Sequence, residues 1–549
     1  MIRLSEIKLT LAEAEHPDST LLAAACRMLA LPREQIAGVD LFKRSFDARK
    51  AELTAVYIVD VTLADPAQEP ALLATLAANP HIAVTPDMVW HPPVAAPAML
   101  PVRPVVVGFG PCGIFAALVL AQMGFKPIVL ERGTAVRQRT KDTWDLWRKG
   151  VLDPESNVQF GEGGAGTFSD GKLWSQIKDP RHLGRKVMTE FVNAGAPPEI
   201  LSAAHPHIGT FKLVKVVETM REQIIALGGE IRFQQRVTDL RIEDGHVRGL
   251  IVLDQASGAS SELRADHVVL ALGHSARDTF EMLHERGVFM EAKPFSIGLR
   301  IEHPQGVIDR ARWGRHAGHP LLGAADYKLV HHASNDRSVY SFCMCPGGTV
   351  VAATSEPGRI VTNGMSQYSR NERNANAGMV VGIDPADYPG GPLAGIALQR
   401  RLESNAYALG GGDYRAPAQL VGDFIAGRAS TQLGDVEPSY KPGVTLGDLA
   451  EALPVYAIAA LREALPVFGR KIKGFDMPGA VLTGVETRTS SPLRITRGDD
   501  YQSLNVRGLF PAGEGASYAG GILSAGVDGI RVGEAVAQAA IRIPTRSAP

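Results

Sequence analysis

Residues 105–117 decide the fold; they read Val-Val-Val-Gly-Phe-Gly-Pro-Cys-Gly-Ile-Phe-Ala-Ala. The three valines predict a short buried strand, and the glycines have the GxGxxG spacing of a dinucleotide-binding turn. An apolar helical pattern follows over Ile114–Met123, and a second strand over Pro127–Leu130 ends at the acidic residue Glu131. Strand, glycine turn, helix and acid in this order predict a Rossmann-type site rather than a chance group of glycines.

Each position of this turn has a physical role. Gly108 permits the tight turn, Gly110 lets the backbone approach a pyrophosphate, and Gly113 lets the helix pack closely on the strand. The N-terminus of the helix offers free N–H groups and a partial positive charge to phosphate oxygens. Glu131 is then placed to accept hydrogen bonds from the adenosine ribose.

A second segment near the end of the chain extends this site. Residues 508–526 read Gly-Leu-Phe-Pro-Ala-Gly-Glu-Gly-Ala-Ser-Tyr-Ala-Gly-Gly-Ile-Leu-Ser-Ala-Gly, which predicts a strand at Gly508–Ala512, a Gly513-Glu514 turn and a helix from about Gly521 to Ala540. A two-part FAD site uses such a turn near the ribityl and pyrophosphate groups. The helix N-terminus then faces the flavin and favours its negatively charged reduced form. The first motif suits FAD or NAD equally, and the second favours FAD.

These segments resemble the glutathione-reductase structural superfamily of FAD enzymes. The chain is more closely similar to a bacterial and plastid family of uncharacterised FAD-dependent (NAD-utilising) dehydrogenases. Residues 107–113, 161–172, 341–348 and 512–522 carry that similarity, which spans most of the chain. The resemblance implies FAD, with NAD(P)H as a candidate transient electron donor, and it implies no substrate. One departure is the Gly-Glu turn, because the superfamily usually has Gly-Asp there.

The resemblance also implies an α/β fold with a discontinuous, glutathione-reductase-type Rossmann domain. We expect a small α/β module at 1–95, the FAD-binding domain at 103–290 and 476–549, and an inserted α+β substrate domain at 291–475. A Pro-rich linker begins at His91. Periodicity predicts further helices at Ser19–Leu31 and Leu213–Leu227, and further strands at Ile2–Leu11, Ala51–Leu63, Ile231–Phe233, Val237–Ile242, Val247–Leu253 and Asp266–Leu272.

The glycine-rich segment 161–172 contains Gly166-Thr-Phe-Ser-Asp-Gly-Lys172, which matches part of a P-loop. Leu173 stands where that loop needs Ser or Thr for Mg²⁺, and no buried strand precedes it, so a triphosphatase is disfavoured. We expect the loop to lie along the pyrophosphate and the flavin, with Lys172 near the ring; a surface loop with a solvated lysine is the alternative.

Two further positions complete the predicted cofactor site. Val237 is expected to contact the adenine through its backbone, and Gly273 follows a strand that closes the FAD domain. The full set of predicted FAD-binding residues is Gly108, Gly110, Pro111, Gly113, Glu131, Arg132, Gly164, Gly166, Thr167, Ser169, Val237, Gly273, Gly513, Glu514, Gly521 and Ile522.

Cys343-Met-Cys345 could add thiol chemistry to the flavin, so Cys343, Cys345 and Lys172 are the candidate catalytic residues. The alternative is a pair of small buried side chains, the commonest fate of free cysteine. Cys26 and Cys112 are expected to pack in apolar surroundings. The histidines do not have metal-ligand spacing, so no metal site is predicted. Arg300 and Lys293, with Lys172, could bind an anionic or carbonyl-bearing substrate.

The chain of 549 residues has 57 Lys and Arg against 58 Asp and Glu, a net charge of −1. This balance favours neither nucleic acid nor a membrane surface as partner, and no signal-peptide pattern opens the chain. We therefore expect a cytoplasmic protein acting on a small molecule, of undetermined oligomeric state.

Two functions remain open. The first is an FAD-dependent oxidoreductase that transfers hydride between a small molecule or NAD(P)H and the flavin. The second is an accessory flavoprotein with structural FAD, whose N-terminal module binds a macromolecule. The basic and aromatic run Phe42–Lys50 is the feature that suggests the second function, although such runs are usually solvated strand faces.

Overall fold

The computed structural model describes residues 1–48 and 52–542. Its N-terminal region pairs strands in the antiparallel order β2-β3-β1-β4, and the helix α2 covers one face. Alternate residues of β3 are buried against that helix, as the period of a half-buried strand requires. The elements are β1 (Ile2–Thr10), α1 (Leu11–Glu15), α2 (Pro17–Leu29), β2 (Ile36–Asp47), β3 (Thr54–Leu63), α3 (Glu69–Thr75) and β4 (Ile82–Val84). The strand predicted from Ala51 begins at Thr54, and Ala51 lies outside the described residues.

The basic and aromatic run lies in β2, and its last residues, Arg49 and Lys50, are outside the described part of the chain. The guanidinium of Arg3 lies 3.5 Å from the centre of the Phe42 ring, and that of Arg185 lies 5.5 Å from it. The backbone of Arg44 exchanges hydrogen bonds of 2.7 and 2.9 Å with Ser202 and Ala204. The outer edge of β2 is thus used to attach this region to the next one.

The Pro-rich segment after β4 contains neither helix nor strand between residues 85 and 104. It is nevertheless attached to the body of the protein. The indole nitrogen of Trp90 donates a 2.8 Å hydrogen bond to Glu534, and the ammonium of Lys186 lies 4.6 Å from the Trp90 ring centre.

The next region contains the predicted Rossmann sheet. Five parallel strands are ordered β22-β11-β5-β6-β7, so a strand from the end of the chain completes a sheet begun by residues 105–107. An antiparallel meander, β8-β9-β10, lies beside it. The elements are β5 (Val105–Val107), α4 (Pro111–Gln122), β6 (Ile128–Leu130), α5 (Val136–Lys149), α6 (Leu183–Asn193), α7 (Thr210–Ala226), β7 (Glu230–Arg232), β8 (Gln235–Glu243), β9 (His246–Asp254), β10 (Ser260–Arg264), β11 (Val268–Leu270) and α8 (Arg277–Glu285).

The middle of the chain forms a mixed sheet ordered β14-β15-β17-β13-β20-β18-β19, with β16 paired to β15. The inserted domain is predicted to end at residue 475, but its sheet extends further along the chain. The strand β20 lies beyond that residue and pairs with β13 rather than with the Rossmann strands. The elements are β12 (Met290–Ala292), β13 (Phe295–Pro304), α9 (Gln305–Trp313), β14 (Val330–His332), β15 (Ser338–Ala352), β16 (Thr362–Ser366), β17 (Asn374–Ile383), α10 (Ala394–Gly410), β18 (Ala416–Leu420), α11 (Val421–Ala426), β19 (Val444–Leu446), α12 (Val455–Lys471) and β20 (Val481–Glu486).

The chain then returns to the Rossmann sheet through β21 (Leu493–Ile495), β22 (Leu509–Pro511) and α13 (Ile522–Arg542). The helices α4 and α13 pack closely because glycines face the contact: a Cβ at Gly529 would lie 2.3 Å from the Cys112 carbonyl oxygen. In residues 1–48 and 52–542 no helix is both long enough and apolar enough to cross a membrane.

Candidate active site

A cavity of about 1070 Å³ lies between the Rossmann sheet and the inserted sheet. The carboxyl ends of β5, β6 and β11 and the turn after β22 form one wall. Residues of β15, β16 and β20 form the opposite wall. Open α/β sheets bind ligands at the carboxyl ends of their strands, so the fold places a binding site here.

The glycine turn after β5 depends on the absence of side chains. Gly108 has a φ of +97°, and a Cβ there would lie 2.3 Å from the carbonyl oxygen of Ala271. A Cβ at Gly113 would lie 1.9 Å from the Gly108 carbonyl oxygen. Gly113 does not line the cavity, whereas Gly108, Gly110 and Pro111 do. The cavity faces the first turn of α4. No side chain caps this helix, so the free N–H groups of its first turn are available to a ligand.

Glu131 joins three backbone segments at the end of β6. Its two carboxylate oxygens accept hydrogen bonds from the N–H groups of Phe109 (2.8 Å), Gly133 (2.8 Å) and Gly161 (3.0 Å). Because a carboxylate offers about four acceptor positions, one remains for a ligand in the cavity that Glu131 lines. Its neighbour Arg132 also lines the cavity and pairs with Glu155 at 2.8 Å.

The glycine-rich loop 161–172 borders the cavity beside this turn. Gly164 has a φ of +61°, and a Cβ there would lie 2.8 Å from Cα of Gly110, so the two loops meet backbone to backbone. Gly166 and Ser169 line the cavity, and the Ser169 hydroxyl donates a 2.6 Å hydrogen bond to the Gly166 carbonyl. Thr167 is buried behind the loop and does not line the cavity.

The turn after β22 brings the C-terminal motif to the same cavity. The Gly513 N–H donates a 2.8 Å hydrogen bond to Asp528, and Gly513, Glu514, Gly521 and Ile522 line the wall. Burial raises the pKa of Glu514 to about 7, against the opposing charge of Lys293. Val237 on β8 and Gly273 after β11 complete this side of the cavity.

The opposite wall is built from paired charges. The guanidinium of Arg300 is fully buried and donates to Asn376 (2.7 Å), Glu486 (3.1 Å) and the carbonyl of Cys343 (2.6 Å). Burial raises the pKa of Glu486 to about 7, although the positive charge of Arg300 opposes this. Glu486 lines the cavity and Arg300 lies behind it.

Of the three cations predicted to bind substrate, only Lys172 lines the cavity. Arg300 and Lys293 are absent from the cavity wall, because Arg300 is engaged by buried partners and the Lys293 ammonium lies 3.3 Å from the Ser517 hydroxyl. Lys172 does line the cavity, and its ammonium donates to the carbonyl of Met344. Cys343 lines the cavity next to Lys172, whereas Cys345 is fully buried behind it.

Sequence reasoning missed several charged residues of this wall. Asp170 pairs with Arg370 at 2.6 Å, and both line the cavity with Glu486. Glu486 is the one charged residue of the buried strand β20, and a charge in such a run was the available signal. Arg370 has no comparable signal, because it meets Asp170 only through the fold.

Two family models match stretches of the chain that contribute residues to this cavity. One, described as FAD dependent oxidoreductase, matches residues 172–312; the other, described as FAD-dependent protein, C-terminal domain-like, matches residues 294–489. A third, a domain of unknown function, matches residues 1–62. The chain is 46% identical over 536 residues to an uncharacterised protein of Clostridium beijerinckii, covering 97% of this chain and 98% of that one. The chain belongs to this family of FAD-dependent oxidoreductases.

Solved structures with similar arrangements include quinol fumarate reductase of E. coli, which is 13% identical, with a TM-score of 0.36 over 80% of this chain and 69% of that one. Another is glycerol-3-phosphate dehydrogenase from Bacillus halodurans complexed with FAD, which is 12% identical, with a TM-score of 0.35 over 80% of this chain and 64% of that one.

The cavity of this flavoenzyme is large enough for a long cofactor. Its volume is about 1070 Å³. This is at the upper end of the range of about 300–1,000 Å³ typical of small-molecule sites. Gly521 lines the cavity with no atom within 4 Å of the position of a Cβ, so glycine keeps that space open. The uncapped start of α4 supplies N–H donors for an anionic group.

Proposed function

We propose that the enzyme transfers hydride between FAD and a small molecule, with NADPH or NADH as a candidate donor. The observation that carries this proposal is the continuity of the cavity, which runs from the glycine turns of the Rossmann sheet to Lys172 and Cys343 on the inserted sheet. FAD supplies the two-electron chemistry, because its ring accepts and releases hydride. The described residues provide the binding, the orientation and the charge.

The first half of the cavity would hold the adenosine and pyrophosphate groups. We assign the pyrophosphate to Gly108, Gly110 and the N-terminus of α4, whose N–H groups are uncapped. The remaining acceptor position of Glu131 suits a ribose hydroxyl. Val237, which lines the cavity, would then lie beside the adenine.

The second half would hold the flavin. The N-terminus of α13, at Gly521 and Ile522, lines the cavity and carries a partial positive charge, which would stabilise negative charge on a bound flavin. Glu514, with its pKa raised to about 7 by burial, is partly protonated at neutral pH and can donate or accept a hydrogen bond at the ribityl chain. Five parallel strands beside an antiparallel meander support assigning the domain to the glutathione-reductase type.

Lys172 is the proposed substrate-binding cation of the inserted side. Its ammonium is held by the Met344 carbonyl and remains at the cavity wall, where it can neutralise an anionic group or polarise a carbonyl. The alternative of an accessory flavoprotein has less support, because Phe42 and the backbone of Arg44 are used in intramolecular contacts.

The test is an anaerobic titration of the purified protein with NADPH and then NADH, following the flavin absorbance. We expect one nucleotide to bleach the flavin, and a flavin that remains oxidised for hours with both would contradict the use of these donors. In Lys172→Met we expect hydride transfer to a carbonyl or anionic substrate to slow by about tenfold, about 1.4 kcal/mol, with unchanged FAD content. Lys178→Met, on an exposed residue of the following loop, is the matched control.

A further inference from the structure

The pair Cys343 and Cys345 lies at an irregularity of β15. Phe342 pairs with Gly378, and Cys345 pairs with Asn376, so β15 has one extra residue between these pairs. Cys343 has a φ of +43°, in the left-handed region of the backbone that residues other than glycine rarely adopt. Bulges with such strain redirect side chains and are frequent near active sites. Here the bulge turns Cys343 toward the cavity.

Two cations hold the strained segment. The guanidinium of Arg300 donates a 2.6 Å hydrogen bond to the Cys343 carbonyl, and the ammonium of Lys172 donates to the Met344 carbonyl. The Cys345 thiol lies 3.4 Å from the same Cys343 carbonyl oxygen and 3.6 Å from Nη2 of Arg300. The two cysteines are therefore held in a fixed arrangement beside two cations, with the carboxylates of Glu486 and Asp170 also close by.

The two thiols differ in exposure and in acidity. Cys343 is half-buried and lines the cavity, whereas Cys345 is fully buried. The interaction with the Cys345 thiol, aided by the charges of Arg300 and Lys172, lowers the pKa of Cys343 below its usual value, although burial and the charge of Asp170 oppose this. The same interaction, with burial, raises the pKa of Cys345 well above its usual value. An accessible thiolate in front of a protonated thiol is the arrangement of an attacking and a resolving cysteine.

We propose that Cys343 and Cys345 form a dithiol centre that reduces a small-molecule disulfide entering the cavity from the side of the inserted sheet. The Cys343 thiolate attacks one sulfur of the disulfide, forms a mixed disulfide and releases one thiolate. Cys345 then loses its proton and attacks the Cys343 sulfur, which closes the Cys343–Cys345 disulfide and releases the second thiolate. The small molecule gains two electrons, and the cysteine pair loses them.

Two electrons and one proton return the disulfide to the thiolate and the thiol. We expect the reduced flavin to supply the electrons, so this step rests on the proposed function. The thiol and the predicted cofactor wall share one space, because Cys343 and Glu514 line the same cavity. A ring closed by residues two positions apart is strained, and strained disulfides are the readily reduced ones.

The first experiment measures alkylation of the purified flavoprotein by iodoacetamide from acid to alkaline pH, with peptide mass mapping. We expect Cys343 to reach half of its maximal rate at a lower pH than Cys26 does, because its pKa is lowered. Cys26, half-buried in the N-terminal region, is the internal reference for the reaction. Cys343 reactivity that follows the same pH dependence as Cys26 would overturn the proposal.

The second experiment adds oxidised glutathione to the anaerobic protein. The wild type and Cys26→Ser should release two glutathione thiols per chain and give a peptide with a Cys343–Cys345 disulfide. Cys345→Ser should stop at a mixed disulfide, and Cys343→Ser should release none. Absence of the disulfide in the wild-type peptide, a result that needs no variant, would refute the dithiol centre. The glutathione experiment tests the dithiol centre alone, and the bleaching of the flavin by NADPH or NADH tests the proposed function. Failure of one proposal is therefore distinguishable from failure of the other.

Discussion

The two walls of the cavity are built by different means. On the Rossmann side, backbone groups and glycines form the surface, and Gly108, Gly164 and Gly513 all have positive φ values. On the inserted side, side chains from distant strands form it, as when Arg300 on β13 meets Glu486 on β20. The first wall depends on conformations set within a few residues, and the second depends on pairs brought together by the sheet.

This difference predicts how each wall fails. At Gly108 and Gly164 the backbone wall tolerates no added atom, because a Cβ there meets main-chain atoms that cannot move alone. A wall of paired charges tolerates changes of shape but not the loss of one partner, since an unpaired buried charge is costly.

The largest effect is expected for Gly108→Ala. Its Cβ would lie 2.3 Å from the Ala271 carbonyl oxygen at a φ of +97°, so β5 and β11 must separate locally. We expect at least a tenfold loss of bound FAD and a loss of roughly 4 kcal/mol or more in the free energy of unfolding. The ratio of FAD to protein and urea denaturation measure the two effects.

Gly287→Ala is the matched control for that variant. Gly287 also has a positive φ, +73°, but a Cβ there meets no atom within 4 Å. It should cost about 1–2 kcal/mol and leave the FAD content unchanged. Equal FAD loss in both variants would show that backbone conformation, and not the close approach at Gly108, is the cause.

The next effect concerns the inserted wall. Arg300→Met leaves Glu486 without its buried partner and should lower the free energy of unfolding by about 3–5 kcal/mol in urea denaturation. The double variant Arg300→Met/Glu486→Gln should have a free energy of unfolding at least about 1 kcal/mol higher than that of Arg300→Met alone, because the unpaired charge is removed.

A surface pair provides the comparison for Arg300. Arg373 and Glu437 are 2.7 Å apart with more than half of each side chain exposed, so Arg373→Met should change the free energy of unfolding by less than about 1 kcal/mol. If Arg300→Met were as mild as Arg373→Met, the inserted wall would not depend on this buried pair.

The smallest effect is a pH dependence. Burial raises the pKa of Glu486 from 4.5 to about 7, so the folded protein binds a proton there more tightly than the unfolded chain. This contribution to the free energy of unfolding is complete below about pH 4.5 and is lost as the pH rises through about 7. It amounts to at most about 3 kcal/mol.

Glu486→Gln should remove that slope, measured as the difference between its denaturation curves and those of the wild type from pH 4.5 to 7. The remaining slope of the variant includes the raised pKa of Glu514 and the lowered pKa of Cys343, which act in opposite directions. Identical slopes in the variant and the wild type would contradict the assignment to Glu486.

Much of the backbone wall could be predicted from the sequence. The strands at Val105–Val107 and Ile128–Leu130 and the helix after Gly110 lie where the motif indicates them, within a few residues. The motif predicts this structure reliably because its glycines stand where a Cβ would overlap neighbouring backbone atoms, as at Gly108 and Gly113. Gly113 and Thr167 belong to the predicted FAD-binding set but do not line the cavity. Gly113 has the helix-packing role that the motif predicts, and Thr167 is buried by its own loop.

The inserted wall could be predicted only in part. Cys343 and Lys172 were singled out as reactive residues, and the structure places both on the cavity. Arg300 was expected to bind substrate, yet it is buried, because Gly364 leaves room for its guanidinium beside Asn376. Neither residue is near Arg300 in sequence, so no local pattern indicates that contact.

The sequence by itself therefore determined the α/β class, the dinucleotide turn and the return of a C-terminal strand to the same site, because these follow from short-range sterics and hydrophobic periodicity. Tertiary structure alone decided which charges are paired, which cysteine faces the cavity and where the inserted sheet ends. Those outcomes depend on contacts between residues far apart in the chain, and the energy of a buried charge is set by the partner that the fold supplies.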